Sequence, residues 1–104
     1  MATLYLNSIT CIDQQEVFGD ELYVTFDGER IALPNMSQGD TAILTHDDDF
    51  VGSKGLSLFE NDGNHWYDRD DFIDRHTIPD SPGDFRLDFV GGGAHYELDV
   101  SVVF

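Results

Sequence analysis

The chain has 104 residues, which suits one domain and is too short for two, so we expect a single domain over 1–104. Its 21 acidic residues outnumber 5 basic ones and give a formal net charge of -16, with 40% hydrophobic and 12% aromatic residues. The hydrophobic content is typical of a folded domain rather than a disordered chain. DNA and RNA are excluded as expected partners, because both are polyanions and no basic stretch offsets the repulsion.

Two absences in the sequence narrow the class of protein further. Cys11 is the single cysteine, so neither an internal disulfide nor a cysteine zinc site is expected, and its apolar surroundings predict a buried small hydrophobic residue. No secretory signal segment is recognisable, and no apolar run is long enough to span a membrane. The cellular compartment is therefore left open.

Apolar and polar residues alternate with a period of two along most of the chain, which is typical of strands that bury one face. Leu22, Val24 and Phe26 form one such row, and the segment 95–104 contains another. The pattern predicts eight strands, in chain order Thr3–Ile12, Glu21–Phe26, Glu29–Leu33, Thr41–Thr45, Gly55–Phe59, Phe72–Ile78, Phe85–Val90 and His95–Phe104. Asp27-Gly28 predicts a two-residue hairpin. Eight short strands without a helical repeat predict an all-β fold, an eight-stranded antiparallel β-sandwich.

Two connections between the predicted strands are longer and more acidic than a hairpin requires. The first covers 13–20 and the second covers 60–71, and a third acidic cluster, Asp47–Asp49, lies between them in sequence. In the second connection Glu60 and Asp62 are two residues apart at a strand end, so both side chains point the same way. Carboxylates gathered like this repel each other unless a cation neutralises them, and calcium takes oxygen ligands from separate loops.

The two connections resemble the calcium-binding loops of C2 domains. The segment from Ile12-Asp13 to Gly19-Asp20-Glu21-Leu22-Tyr23-Val24 resembles their first calcium loop and the strand that follows it. Leu58-Phe59-Glu60-Asn61-Asp62, followed by Asp70-Asp71-Phe72-Ile73, is similar to their third calcium loop. The resemblance implies an eight-stranded sandwich that holds calcium between loops at one edge. In many members of that family, calcium also drives docking to membranes.

The predicted calcium ligands are the carboxylates of these two loops, Asp13, Asp20, Glu60, Asp62, Asp70 and Asp71. The sequence departs from the family pattern at several positions. Glu60 stands where an Asp is usual, Asp74 replaces a glycine, and an additional residue separates Asp20 from Tyr23. Ligand assignment within each loop therefore stays open, with Glu16, Glu21 and Asp68 as alternatives.

Three aromatic residues, Phe18, Trp66 and Tyr67, lie beside the predicted ligands. They either contact a partner or a membrane, or fold back as a small core of the loops. A protein partner or self-assembly is favoured over a membrane, because the chain has few Lys and Arg residues to attract anionic lipid.

No catalytic motif is recognisable, neither a nucleophile elbow nor a phosphate loop, so we expect no enzymatic activity. The histidines lack zinc-type spacing and are interpreted as surface or strand residues: His46, His65, His76 and His95.

The sequence thus predicts a calcium-binding interaction module. One alternative is a structural subunit with a salt-adapted acidic surface, in which the apolar end Val102–Phe104 seals a core or offers an edge for strand addition. Another is a carbohydrate-binding sandwich that uses Trp66 and Tyr67 as a stacking platform.

Overall fold

The computed structural model describes residues 1–14, 21–26, 29–61 and 71–104, and it confirms the predicted all-β sandwich. Its eight strands are β1 (Ala2–Asp13), β2 (Leu22–Phe26), β3 (Glu29–Ala32), β4 (Thr41–Phe50), β5 (Ser53–Glu60), β6 (Asp71–Pro79), β7 (Gly83–Gly91) and β8 (Ala94–Val103). Sheet I has the order β4-β1-β8-β7, sheet II has the order β3-β2-β5-β6, and neighbouring strands in both are antiparallel. No helix in the described ranges is long and apolar enough to cross a membrane.

The core lies between the two sheets and is built from the apolar row of each strand. Sheet I contributes almost fully buried side chains from β1 and β8, namely Leu4, Leu6, Ile9, Cys11, Tyr96, Leu98, Val100 and Val102. Sheet II contributes Leu22, Val24, Phe26, Leu56, Leu58 and Ile78. The alternation predicted from the sequence is thus confirmed, as is the burial of Cys11. Removing this apolar surface from water stabilises the fold by about 25 cal/mol per Å².

The strand directions divide the connections between two ends of the sandwich. The segments 14–21, 33–40 and 61–70 and the turn 92–93 join strands at one end, here called the loop end. The strand ends that the segments 27–28, 51–52 and 80–82 connect lie at the other end. Phe26 pairs with Glu29, which confirms that a two-residue connection joins β2 and β3. Both acidic connections that the sequence singled out therefore belong to the loop end.

One side of the sandwich is closed where β6 packs against β7. The backbone N–H of Val90 donates to Asp74 Oδ2 at 3.1 Å. At the next residue, Gly91, a Cβ atom would lie 2.1 Å from the carbonyl oxygen of Ile73. Only glycine allows the two backbones to come this close. Asp74, which departs from the family pattern, thus joins the two sheets.

The third acidic cluster lies in a strand and away from the loop end. β4 continues to Phe50, five residues beyond the predicted end at Thr45, and so contains Asp47–Asp49. Asp48 points inward and pairs with Lys54, whose Nζ lies 2.6 Å from Asp48 Oδ2. This ion pair satisfies a carboxylate that the alternation directs toward the core, so the strand continues through it.

The C-terminal strand is paired on both of its edges, with β1 and with β7. Of the two roles left open for Val102–Phe104, Val102 seals the core, and β8 is not an edge that could accept another strand. Phe104 continues the apolar row in sequence but is 73% exposed, because β8 ends at Val103.

Candidate functional site

Three of the predicted ligands lie at strand ends that meet at the loop end. Asp13 is the last residue of β1, Glu60 is the last residue of β5, and Asp71 is the first residue of β6. Glu60 and Asp71 are direct partners in the pairing of β5 with β6. The other predicted site residues and alternatives lie outside the described residues: Glu16, Phe18, Asp20, Asp62, Trp66, Tyr67, Asp68 and Asp70.

Asp13 and Glu60 occupy different environments. Asp13 is exposed on sheet I, where a bulge between Cys11 and Asp13 sets it opposite His95. Glu60 is only 2% exposed, one of the few buried charged residues among those described. A carboxylate this deeply buried requires hydrogen bonds or a positive charge to offset its lost hydration. Among the residues described, neither side chain belongs to a group of three that could share an ion.

A backbone hydrogen bond joins the two acidic connections. The N–H of Asn61 donates to the carbonyl oxygen of Glu21 at 2.7 Å. Glu21 is the last residue before β2, and Asn61 is the first residue after β5. Because Leu22 pairs with Glu60, this bond extends the β2–β5 ladder by one step into the connections. The end of the first connection is thereby held beside the start of the second.

A third connection at the loop end, 33–40, supports the first. Gly39 N–H donates to the carbonyl oxygen of Cys11 at 2.8 Å, and Cys11 N–H donates to the carbonyl oxygen of Asp40 at 2.8 Å. Gln38 N–H donates to Gln14 Oε1 at 2.7 Å. Gly39 has a φ of +92°, a conformation that favours glycine. The position of this segment at the loop end follows only from the strand directions, which no local pattern in the sequence reveals.

The outer face of sheet II carries an aromatic row just below the connections. Tyr23 stacks on Phe59 with ring centroids 5.1 Å apart, and Phe59 meets Phe72 edge-on at 5.5 Å. The guanidinium carbon of Arg30 lies 3.7 Å from the centroid of the Tyr23 ring. These contacts bury Tyr23 although the alternation places it on the outer face. They stiffen the ends of β2, β5 and β6 from which the acidic connections emerge.

The outer face of sheet I carries a histidine beside two carboxylates, which the sequence analysis did not anticipate. The described histidines, His46, His76 and His95, all lie in strands as expected. His95 additionally lies with Asp88 and Glu97, and their potential ligand atoms are within 4.8 Å of one another. The signal in the sequence is weak, since it consists only of Asp88 and His95-x-Glu97 on either side of three glycines.

No protein-family model matches the sequence, and no curated protein matches it significantly. The fold does match solved structures. One is the structure of a C2 domain, with a TM-score of 0.60 and 11% identity over 99% of this chain and 97% of that chain. A second contains the C2A and C2B domains of extended-synaptotagmin 2, with a TM-score of 0.59 and 10% identity over 97% of this chain and 39% of that one.

A third match is human GIVD cytosolic phospholipase A2, solved with methyl gamma-linolenyl fluorophosphonate and terbium chloride. Its TM-score is 0.57 and its identity is 15%, over 98% of this chain. The chain spans only 17% of the length of that phospholipase. These likenesses cover nearly the whole chain, and they confirm that its fold is C2-like.

Proposed function

We propose that the chain is a non-enzymatic, calcium-binding interaction module in which the two acidic connections of the loop end hold the ion. The observation that carries the proposal is the hydrogen bond from Asn61 to Glu21, because it holds the two acidic connections side by side. The C2-like fold supports the proposal, since the resemblance assigns calcium to loops at one edge of such a sandwich.

The chemistry of the donors also supports calcium. Calcium takes six to eight oxygen ligands and accepts them in irregular arrangements from several loops. The two connections and their flanking strand ends offer mainly oxygen ligands, with carboxylates of Asp13, Glu60 and Asp71 at strand ends and of Asp20, Asp62 and Asp70 between them, and His65 is their single imidazole. Imidazole and thiolate ligands, which favour zinc or copper, contribute little to this set. A bound cation would also relieve part of the self-repulsion of a chain with a net charge of -16.

The partner that this chemistry favours is a protein or a second copy of the chain. With 21 acidic residues and 5 basic ones, the chain is repelled by anionic lipid surfaces except where calcium bridges the two. A partner contact in this region would then depend on calcium.

Thermal unfolding tests the calcium proposal at constant ionic strength with calcium, magnesium or a chelator. Calcium at a hundredfold excess over its Kd stabilises the fold by about 2.7 kcal/mol, which raises the Tm of a chain this size by more than about 10 °C. The double variant Asp62→Asn with Asp71→Asn should lose this increment. The matched control is Asp47→Asn with Asp49→Asn, which removes two charges far from the loop end and should keep it. A Tm that calcium leaves unchanged would contradict the proposal.

A further inference from the structure

The β7–β8 hairpin carries a second group of metal-ligand side chains, on the outer face of sheet I. Asp88 is the direct partner of Glu97 in the pairing of β7 with β8. His95 lies two residues before Glu97 on the same strand, so the two side chains share a face. Gly92 and Gly93 have φ of +59° and +86°, as a two-residue turn with left-handed backbone at both positions requires. This turn fixes the register that brings the three side chains together.

The distances within the group suit a transition-metal ion. His95 Nε2 lies 3.0 Å from Asp88 Oδ1, and all three potential ligand atoms lie within 4.8 Å of one another. Tetrahedral zinc with bonds of about 2.0–2.2 Å places its ligands about 3.4 Å apart. The histidine and the aspartate are already near this spacing, and the Glu97 carboxylate, within 4.8 Å of both, is the third potential ligand. Asp88 thus supplies one ligand from β7, and His95 and Glu97, two residues apart, supply two from β8.

The residues around the group leave its carboxylates accessible to a cation. A fixed positive charge, that of Arg86, lies close by, with its Nε 3.9 Å from Glu97 Oε2. Arg86 is instead hydrogen-bonded to Asp99, with Nε at 2.9 Å from Oδ1 and Nη2 at 3.4 Å from Oδ2. On the opposite side of His95, Asp13 of β1 is its direct partner and adds negative charge. Two carboxylates and a neutral imidazole balance a divalent ion.

We propose that Asp88, His95 and Glu97 form a binding site for a divalent transition metal of the zinc type, separate from the calcium loops. The imidazole determines the class of ion, because calcium and magnesium prefer oxygen ligands whereas zinc, copper, nickel and cobalt accept nitrogen. The side chains of His95, Asp88 and Glu97 are 34%, 58% and 29% exposed, so the ion enters directly from solvent. The bound metal would cross-link β7 to β8 beside the closed side of the sandwich.

Calorimetric titration of the zinc-free chain with zinc chloride, in the presence of excess calcium, tests this site. One zinc ion per chain should bind, and His95→Gln and Glu97→Gln should each weaken binding by at least about tenfold. Arg86→Gln should tighten it, because it removes the positive charge 3.9 Å from Glu97. The matched control His46→Gln removes an imidazole elsewhere and should leave binding unchanged.

The proposal is overturned if zinc does not bind with a defined stoichiometry, or if both His95→Gln and Glu97→Gln bind it as the wild type does. Two ligand variants are used so that the test remains decisive if one of them fails to fold. Circular dichroism checks that each variant is folded. The shift of the His95 Nε2 resonance on zinc addition gives a second readout that is specific to the residue. The two proposed ligand sets share no residue, although Asp13 of the calcium set lies opposite His95, so the zinc and calcium titrations are each judged by their own ligand variants.

Discussion

Asn61 donates its backbone N–H to the carbonyl oxygen of Glu21 at 2.7 Å, one step beyond the last pair of the β2–β5 ladder. The two residues are 40 positions apart in sequence and belong to different acidic connections. Holding both connections at one point lowers the entropy that would otherwise be lost when a cation brings their carboxylates together. Under the calcium proposal, this hydrogen bond prepares the loop end for binding.

The aromatic row below the loop end should contribute strongly to stability. Phe59 contacts Tyr23 on one side and Phe72 on the other. We expect Phe59→Ala to lower the free energy of unfolding by about 2–4 kcal/mol, since it removes apolar burial and two ring contacts. Phe104→Ala is the control, because that ring is 73% exposed and its loss should cost less than about 0.5 kcal/mol. Urea unfolding measures both, and equal effects of the two variants would refute this role.

Gly91 should tolerate no side chain. A Cβ there would lie 2.1 Å from the Ile73 carbonyl oxygen, so Gly91→Ala must push β6 and β7 apart. Overpacking of this kind costs about 1–3 kcal/mol, and displacement of the Asp74–Val90 hydrogen bond adds to it. The neighbouring change Val90→Ala removes exposed atoms and should have little effect. Thermal melts of the two variants compare them directly, and a Gly91→Ala protein as stable as Val90→Ala would be inconsistent with the packing described.

The pair of Lys54 with Asp48 should make the fold sensitive to acid. The hydrogen bond from Lys54 lowers the pKa of Asp48 below its ordinary value of 3.8. Because the folded-state pKa is the lower one, the pair stabilises the fold fully above the unfolded pKa and loses this contribution as pH falls through the folded pKa. Asp48→Asn leaves the buried ammonium group of Lys54 without its carboxylate, so we expect a loss of roughly 2 kcal/mol at neutral pH.

Unfolding measured from pH 7 down to pH 2 checks this assignment. The difference in stability between the wild type and Asp48→Asn should shrink as pH falls below the ordinary Asp value of 3.8 and through the lower folded-state pKa of Asp48. Asp47→Asn provides the control, since Asp47 is exposed on the outer face of the same strand. If the two variants lose stability equally at neutral pH, the inward ion pair does not support β4.

The sequence predicts those features of this structure that depend on residues close together along the chain, and it misses those that depend on distant partners. Rows such as Leu22, Val24 and Phe26 identify strands because the period of two is a local property of the chain. The extension of β4 through Asp47–Asp49 was not predicted, because three consecutive acidic residues resemble a loop unless the partner of Asp48 is known. That partner, Lys54, lies across a turn.

The candidate sites also combine features that are local in the sequence with features that depend on contacts between distant residues. Composition and spacing identify the acidic connections, and the family resemblance links them to calcium. Neither predicts the hydrogen bond between Asn61 and Glu21, which requires the register of β2 against β5. The group of Asp88, His95 and Glu97 likewise requires the register set by the glycine turn. Asp88 lies on β7 and the other two residues lie on β8, so no motif within one strand reveals the group.

The high-salt interpretation of the acidity and the calcium interpretation predict different responses to ions. Screening of a net charge of -16 should raise the Tm as sodium chloride increases, whichever carboxylates are present. Calcium should add a further increment at fixed ionic strength, and only when the loop-end carboxylates are intact. Melts across a salt series, with and without calcium, separate the two effects. If calcium adds nothing beyond its ionic strength, the acidity serves solvation alone.

Calorimetric titration of the chain with calcium at constant ionic strength tests the central claim most directly. We predict saturable binding that Asp62→Asn and Asp71→Asn weaken and that Asp47→Asn and Asp49→Asn leave unchanged. Magnesium should bind more weakly, because it demands a regular octahedral site with short bonds. A titration without saturable heat, or one that the loop-end variants do not alter, would contradict it.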